Sequence, residues 1–234
     1  MRKESGHRVI GSSGDRPRKG SDRPEAGPPL RVPSPESRVP NTGVAVLALQ
    51  GDFEAHRRTL AGMGIDSFEA RNPEEIEEAA GLILPGGEST TIWKFFESAP
   101  WEETIRRFAA GGRPVLGTCA GAIVLAREVT NPAQKGLGLL DIAVERNAYG
   151  RQAESFVGEV DAPALGGKLP AVFIRAPKIR SVGPGIEVLA TLGGDPVLVR
   201  KGNVLAATFH PELTEDDRIH RMAFGEAARS RKTA

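Results

Sequence analysis

Cysteine is almost missing from this chain. Cys119 stands alone among 234 residues, which excludes an internal disulfide and makes a reducing compartment, the cytoplasm, the natural setting. Histidine is scarce too. His7, His56, His210 and His220 are the only four, and none pairs with the cysteine at ligand spacing, which argues against a structural zinc site. No run of about 18 apolar residues occurs, so no membrane span is expected. Net charge is nearly absent at +1, so nothing points to nucleic acid or a membrane surface as the main partner. What remains is an ordinary globular composition, 39% hydrophobic and 26% charged, long enough for one large α/β domain or two small ones.

The charge is unevenly placed. Residues 1–40 hold nine Lys/Arg against five Asp/Glu, seven of the 18 prolines and few large apolar side chains. Such a segment buries too little apolar surface to offset its ordering entropy, so residues 1–42 are read as a disordered extension. The acids Glu4, Asp15, Asp22, Glu25 and Glu36 are out of place in a transit peptide, and the segment has no apolar h-region of a secretory signal. A translation start near Val39 is the alternative reading.

The folded domain is expected over 43–230. Val44–Leu49 is a continuous apolar run, the pattern of a strand buried on both faces of a parallel sheet. A helix follows over 53–62, with Phe53, His56, Leu60 and Met63 on one side, then a short strand over 65–69. Asn72 before Pro73 opens a short acidic helix over 73–80. Leu82–Leu84 is a buried strand leading into Pro85-Gly-Gly-Glu-Ser-Thr90 and a helix through Phe96. A helix over 101–110 and a strand over 114–116 complete four alternations, which predict right-handed crossovers in an open, mostly parallel α/β sheet with helices on both faces, a flavodoxin-like three-layer arrangement. From 139 onward short β stretches (139–146, 155–161, 171–175, 186–192, 196–200, 203–209) suggest a mixed, antiparallel edge. Thr214 is the expected cap of a last helix.

Chemistry concentrates at three places. Val115 to Gly121 followed by a helical 122–127 reads as strand, Gly-x-Cys-x-Gly, helix, the thiol form of a nucleophile elbow. Alone, the motif fits equally a small inert cysteine in a glycine turn. Phe209-His210-Pro211-Glu212 ends a second strand-like run, where clefts of open α/β sheets form. These residues assign Cys119 as nucleophile, His210 as general base then acid, and Glu212 as the group that orients His210. The Pro85–Thr90 loop lacks the Gly-Lys-Ser/Thr ending of a Walker loop, so its N–H groups are candidates for an oxyanion site rather than a phosphate site. His56 and His220 are read as satisfied core or surface residues.

Together Pro85-Gly-Gly-Glu-Ser-Thr90, Gly117-Thr-Cys-Ala-Gly121 and His210-Pro-Glu212 resemble class I, triad-type glutamine amidotransferases. With Leu47–Gly51, Gly138–Ile142, Glu145-Arg-Asn-Ala-Tyr-Gly-Arg-Gln152, Phe173–Pro177 and Phe209–Leu213, the chain is most similar to the glutaminase subunits of pyridoxal 5′-phosphate synthases, over about 43–225. The resemblance implies that Gly87, Glu88 and Ser89 hold glutamine. It implies that Arg146, Ile174 and Arg175 contact it, and that the N–H groups of Gly86, Gly87 and Ala120 bind the oxyanion. It implies no metal and no cofactor. The partner it implies is a (β/α)8-barrel synthase subunit in a large hetero-oligomer, fed with ammonia through a tunnel. Lys178 and Arg180 depart from the pattern. A glutaminase of another pathway, a cysteine hydrolase and a non-catalytic module on the same fold are the competing readings.

Overall fold

The computed structural model describes residues 43–148 and 155–230. The extension read as disordered and the Tyr149–Gln152 stretch lie outside the described residues. In chain order the elements are β1 (Val44–Leu47), α1 (Phe53–Gly62), β2 (Ser67–Ala70), β3 (Gly81–Leu84), α2 (Ser89–Phe96), α3 (Trp101–Ala110), β4 (Val115–Thr118) and α4 (Ala120–Leu125). There follow β5 (Ala126–Thr130), β6 (Leu140–Glu145), β7 (Ser155–Ala162), β8 (Gly167–Ile174), β9 (Lys178–Val182), β10 (Glu187–Leu192), β11 (Asp195–Lys201), β12 (Val204–Ala207) and α5 (Arg218–Ser230).

The apolar tetrads of β1, β3, β4 and β12 are buried at every residue. They form the parallel part of a nine-stranded sheet, in the order β2-β1-β3-β4-β12. This is the strand order of doubly wound, flavodoxin-like proteins. Successive strand residues face opposite layers. Ala45 and Leu47 join a core with Ile92 of α2, Phe108 of α3 and Val124 of α4. Val44 and Val46 join the other core with Leu60 of α1 and Phe224 of α5. Beyond β12 the sheet continues antiparallel through β11, β10, β7 and β8, the mixed edge expected from the sequence.

Four local expectations fail. The helix over 73–80 is only a 3-10 turn, Pro73–Ile76; the chain must enter β3 at Gly81, which leaves no room for further turns. The helix after Cys119 stops at Leu125 because Ala126 pairs with Leu140 and starts β5. β5 and β9, which the sequence reading passed over, flank β6 in a separate three-stranded sheet. Thr214 does not cap the last helix, which begins at Arg218. Its hydroxyl donates to the Pro211 carbonyl at 2.9 Å and accepts from the Asp216 N–H at 3.3 Å, closing the preceding turn instead.

Candidate active site

Parallel pairing of β4 with β12 sets Thr118 opposite Ala207. Cys119 is the first residue beyond β4, and its N–H donates to the Ala207 carbonyl at 2.8 Å. His210 is the third residue beyond β12, held by its N–H to the Val172 carbonyl at 2.8 Å. Residues ninety-one positions apart in sequence therefore leave the same sheet end side by side.

The elbow forms as its glycines require. Cys119 has φ 47° and ψ −101°, a conformation that costs a non-glycine residue about 1–3 kcal/mol and is held by its surroundings. A Cβ on Gly117 would stand 2.6 Å from Cδ1 of Leu125 and 2.7 Å from the Gly121 carbonyl carbon, and one on Gly121 would overlap the Leu84 carbonyl oxygen. Only glycine lets the strand, the turn and α4 approach this closely. As the first residue of α4, Ala120 has an N–H with no partner inside the helix.

Pro211 starts a 3-10 turn, Pro211–Leu213, which swings Glu212 back under the imidazole. Glu212 Oε1 lies 2.7 Å from Nδ1 of His210, so Nε2 is the nitrogen left to face the sulfur. Burial alone would lower the His210 pKa. Hydrogen bonding to Cys119 and Glu212, with their negative charge, outweighs it and raises the imidazole from 6.5 to about 10. A cationic imidazole favours a thiolate beside it. Burial also acts to raise the Glu212 carboxyl, but the neighbouring histidines His56 and His210 hold it below the usual range.

Cys119 and His210 open into a cleft of about 220 Å³. Its wall includes Gly86, Gly87, Glu88 and Ser89 from the loop after β3, Arg146 and Asn147 after β6, and Ile174 and Arg175 after β8. All residues singled out in the sequence for substrate contact therefore line one cavity, together with Gly51, Asp52 and Ile123, which were not singled out. Arg146 is buried, with one Nη 3.2 Å from Glu88 Oε1 and the other without a hydrogen-bond partner among the described residues. Ser89 donates to Gln134 Oε1 at 3.0 Å. The Ile174 carbonyl oxygen stands 3.8 Å from the sulfur. Lys178 and Arg180, the departures from the family pattern, pair with Asp195 and Glu145 at the surface.

A thiol on a strained elbow, an imidazole at the next strand end and a carboxylate behind it define the architecture of a triad-type glutamine amidotransferase. A solved structure described as a glutamine amidotransferase has the same fold, with a TM-score of 0.74, 51% sequence identity and coverage of 79% of this chain and 98% of that one. The chain belongs to the SNO glutamine amidotransferase family, whose sequence profile matches residues 46–228. Among curated relatives, the pyridoxal 5′-phosphate synthase subunit PdxT of Koribacter versatilis is 56% identical over 179 residues, 76% of this chain and 92% of the relative. The PdxT subunit of Thermus thermophilus is 55% identical over 180 residues, covering 76% and 94%.

Sequence reasoning missed the layer beneath Cys119, His210 and Glu212. His56 of α1 and His220 of α5 are fully buried and join Thr118 and Glu212 in a polar cluster. Nothing local marks them, because α1 and α5 are far apart in sequence and touch only once both pack in the same layer of the fold.

Proposed function

We propose that this chain is the glutaminase subunit of a pyridoxal 5′-phosphate synthase, hydrolysing L-glutamine to L-glutamate and ammonia with Cys119, His210 and Glu212. The observation that carries this reading is the junction of two strand ends, which sets a buried Cys119 against an imidazole already paired with a carboxylate. Likeness of more than half the aligned residues to PdxT subunits supports the choice of pathway.

The Cys119 sulfur attacks the side-chain carbonyl carbon of glutamine. The oxyanion takes hydrogen bonds from backbone N–H groups of Ala120 and the Gly86-Gly87 segment. His210 gives its proton to the departing nitrogen, so ammonia leaves and a thioester remains. Water then attacks the thioester, His210 takes its proton, and glutamate departs as the sulfur is restored. Arg146 and Arg175 suit the substrate α-carboxylate, a planar anion that guanidinium groups bind in pairs of hydrogen bonds. Gly87, Glu88, Ser89 and Ile174 complete the glutamine site. A cysteine peptidase would have no use for two arginines converging on one small cleft.

Ammonia is passed to a (β/α)8-barrel synthase subunit in a hetero-oligomer. No metal or cofactor takes part in the glutaminase step. Among the described residues no helix is long and apolar enough to cross a membrane. A lone nucleophilic thiol that must stay reduced suits the cytoplasm. Residues 1–42 are proposed to lie outside the catalytic domain.

The test is reconstitution. The chain is mixed with the barrel subunit, ribose 5-phosphate and glyceraldehyde 3-phosphate, and pyridoxal phosphate is followed by absorbance. Product is expected from glutamine with wild type, and from ammonium salt alone with Cys119→Ala. Glutamine-driven product from Cys119→Ala would refute the nucleophile; no product from wild type with glutamine, while ammonium salt serves, would refute the pathway.

A further inference from the structure

The triad rests on two more imidazoles. His56 Nδ1 is 2.9 Å from His220 Nε2. His56 Nε2 is 3.2 Å from the hydroxyl of Thr118, the residue before the nucleophile, and 3.5 Å from Glu212 Oε2. That oxygen is buried and has no partner at hydrogen-bond geometry among the described residues, so the 3.5 Å approach of His56 is an electrostatic contact with an otherwise unsatisfied acceptor; His220 Nδ1 is likewise buried without a partner among the described residues.

These contacts choose the tautomers. Suppose His56 carried its proton on Nδ1 and gave it to His220. Then His220 would hold a buried N–H on Nδ1 with no acceptor, and a bare His56 Nε2 would face the Glu212 carboxylate. A buried donor without an acceptor keeps the full desolvation penalty of its N–H. With both protons on Nε2, His220 donates to His56 and His56 donates toward Glu212 and Thr118. Only an acceptor on His220 is then left unpaired. Both rings stay neutral in this arrangement. Burial is the main influence on each and lowers it, His220 to about 3; the charged or titratable neighbours are Glu212, His210 and Asp52 around His56, and Asp217 near His220.

We propose that His56 is a positioning residue for the glutaminase reaction, its Nε2–H fixing the Glu212 carboxylate so that Oε1 stays on His210. This rests on the glutaminase reading above. Donors converge on Glu212 from two sides: His220 donates to His56 and His56 Nε2–H faces Oε2, while His210 Nδ1–H donates to Oε1. The negative carboxylate that must stabilise the imidazolium thus has a donor on the side away from it as well. Glu212 sits on a short turn after Pro211; without a second anchor its side chain could rotate away from the imidazole. Thr118 adds a tie between this layer and the strand that delivers Cys119.

The experiment uses the full chain with its synthase subunit and measures glutamine hydrolysis. His56→Leu, which keeps volume but removes the donor, is expected to lower kcat on the order of tenfold or more, since it leaves the buried Oε2 of a charged group facing apolar surface, with KM for glutamine within about twofold. His56→Gln, whose amide nitrogen reaches the Nε2 position, is expected to recover most of kcat. A folded His56→Leu with wild-type kcat overturns the proposal, as does a His56→Gln no better than His56→Leu. An assay of Cys119→Ala alongside separates the two levels: turnover there would sink the glutaminase reading itself, whereas equal rates of wild type and His56→Leu would sink this inference alone. Should His56→Leu fail to fold, nitrogen-15 histidine spectra of the wild-type chain decide. Neutral Nε2–H rings at both His56 and His220 near pH 7 are expected, and an Nδ1–H or doubly protonated His56 contradicts the proposal.

Discussion

Gly86 has no side chain because the ring of His210 occupies the space one would need. A Cβ built there would overlap Cε1 and stand 3.0 Å from Nδ1. The Gly-Gly loop after β3 and the His-Pro-Glu turn after β12 are thus fitted to each other across the cleft. The prediction is that Gly86→Ala displaces the imidazole while the sheet, whose core lies elsewhere, is retained. A displacement of about 1 Å can cost on the order of a hundredfold in rate. Glutamine turnover with the synthase partner, next to an unchanged far-ultraviolet dichroism spectrum, checks this.

Glu212→Gln tests the orienting carboxylate. Its Oε1 receives the Nδ1 proton of His210 at 2.7 Å, and an amide could present an N–H there instead. Turnover is expected to fall by up to about 10⁴-fold, the loss when the orienting carboxylate of a Ser-His-Asp triad becomes an amide. Glutamine binding, measured by calorimetry on a Cys119→Ala background, should be largely kept. A loss of binding alone would contradict the role.

The raised pKa of His210 has a consequence for stability. Its value is 6.5 in the unfolded chain and about 10 in the fold, so between these pH values the native state binds more protons than the unfolded state. Stability from this group is fully present below 6.5 and declines as pH rises to about 10. Denaturant midpoints of wild type minus those of His210→Asn should therefore shrink across that window. A difference independent of pH would refute the ion pair.

Arg146 lines the cleft, with one Nη linked to Glu88 and the other buried without a hydrogen-bond partner among the described residues. Arg146→Met is expected to raise KM for glutamine about tenfold or more, with a smaller change in kcat, since a carboxylate contact far from the reacting carbon acts on ground state and transition state alike. Steady-state kinetics over glutamine concentration separate the two parameters.

Much of the parallel half was legible in the sequence, since strands buried on both faces read as unbroken apolar runs such as VAVL and GLIL. The elbow was legible through glycines whose spacing answers to close contacts with Leu84 and Leu125. β9 was not, because only Ile179 of its residues is buried and no alternation shows. β5 was hidden by following α4 with no glycine or proline between them. The end of the acidic helix and the start of α5 were set by where β3 must begin and by the Thr214 turn, both tertiary demands. His56 and His220 were invisible as a pair, since 164 positions separate them and local pattern cannot report a contact made through packing on the sheet.

The most direct measurement of the central claim is covalent capture. A diazoketone analogue of glutamine, which alkylates a nucleophile that attacks its carbonyl region, is incubated with the chain and its synthase partner, and the labelled peptide is identified by mass spectrometry. The account predicts one equivalent of label on Cys119, prevented by excess glutamine and lost in His210→Asn. Label on another residue, or glutamine turnover that persists after Cys119 is fully alkylated, would contradict it.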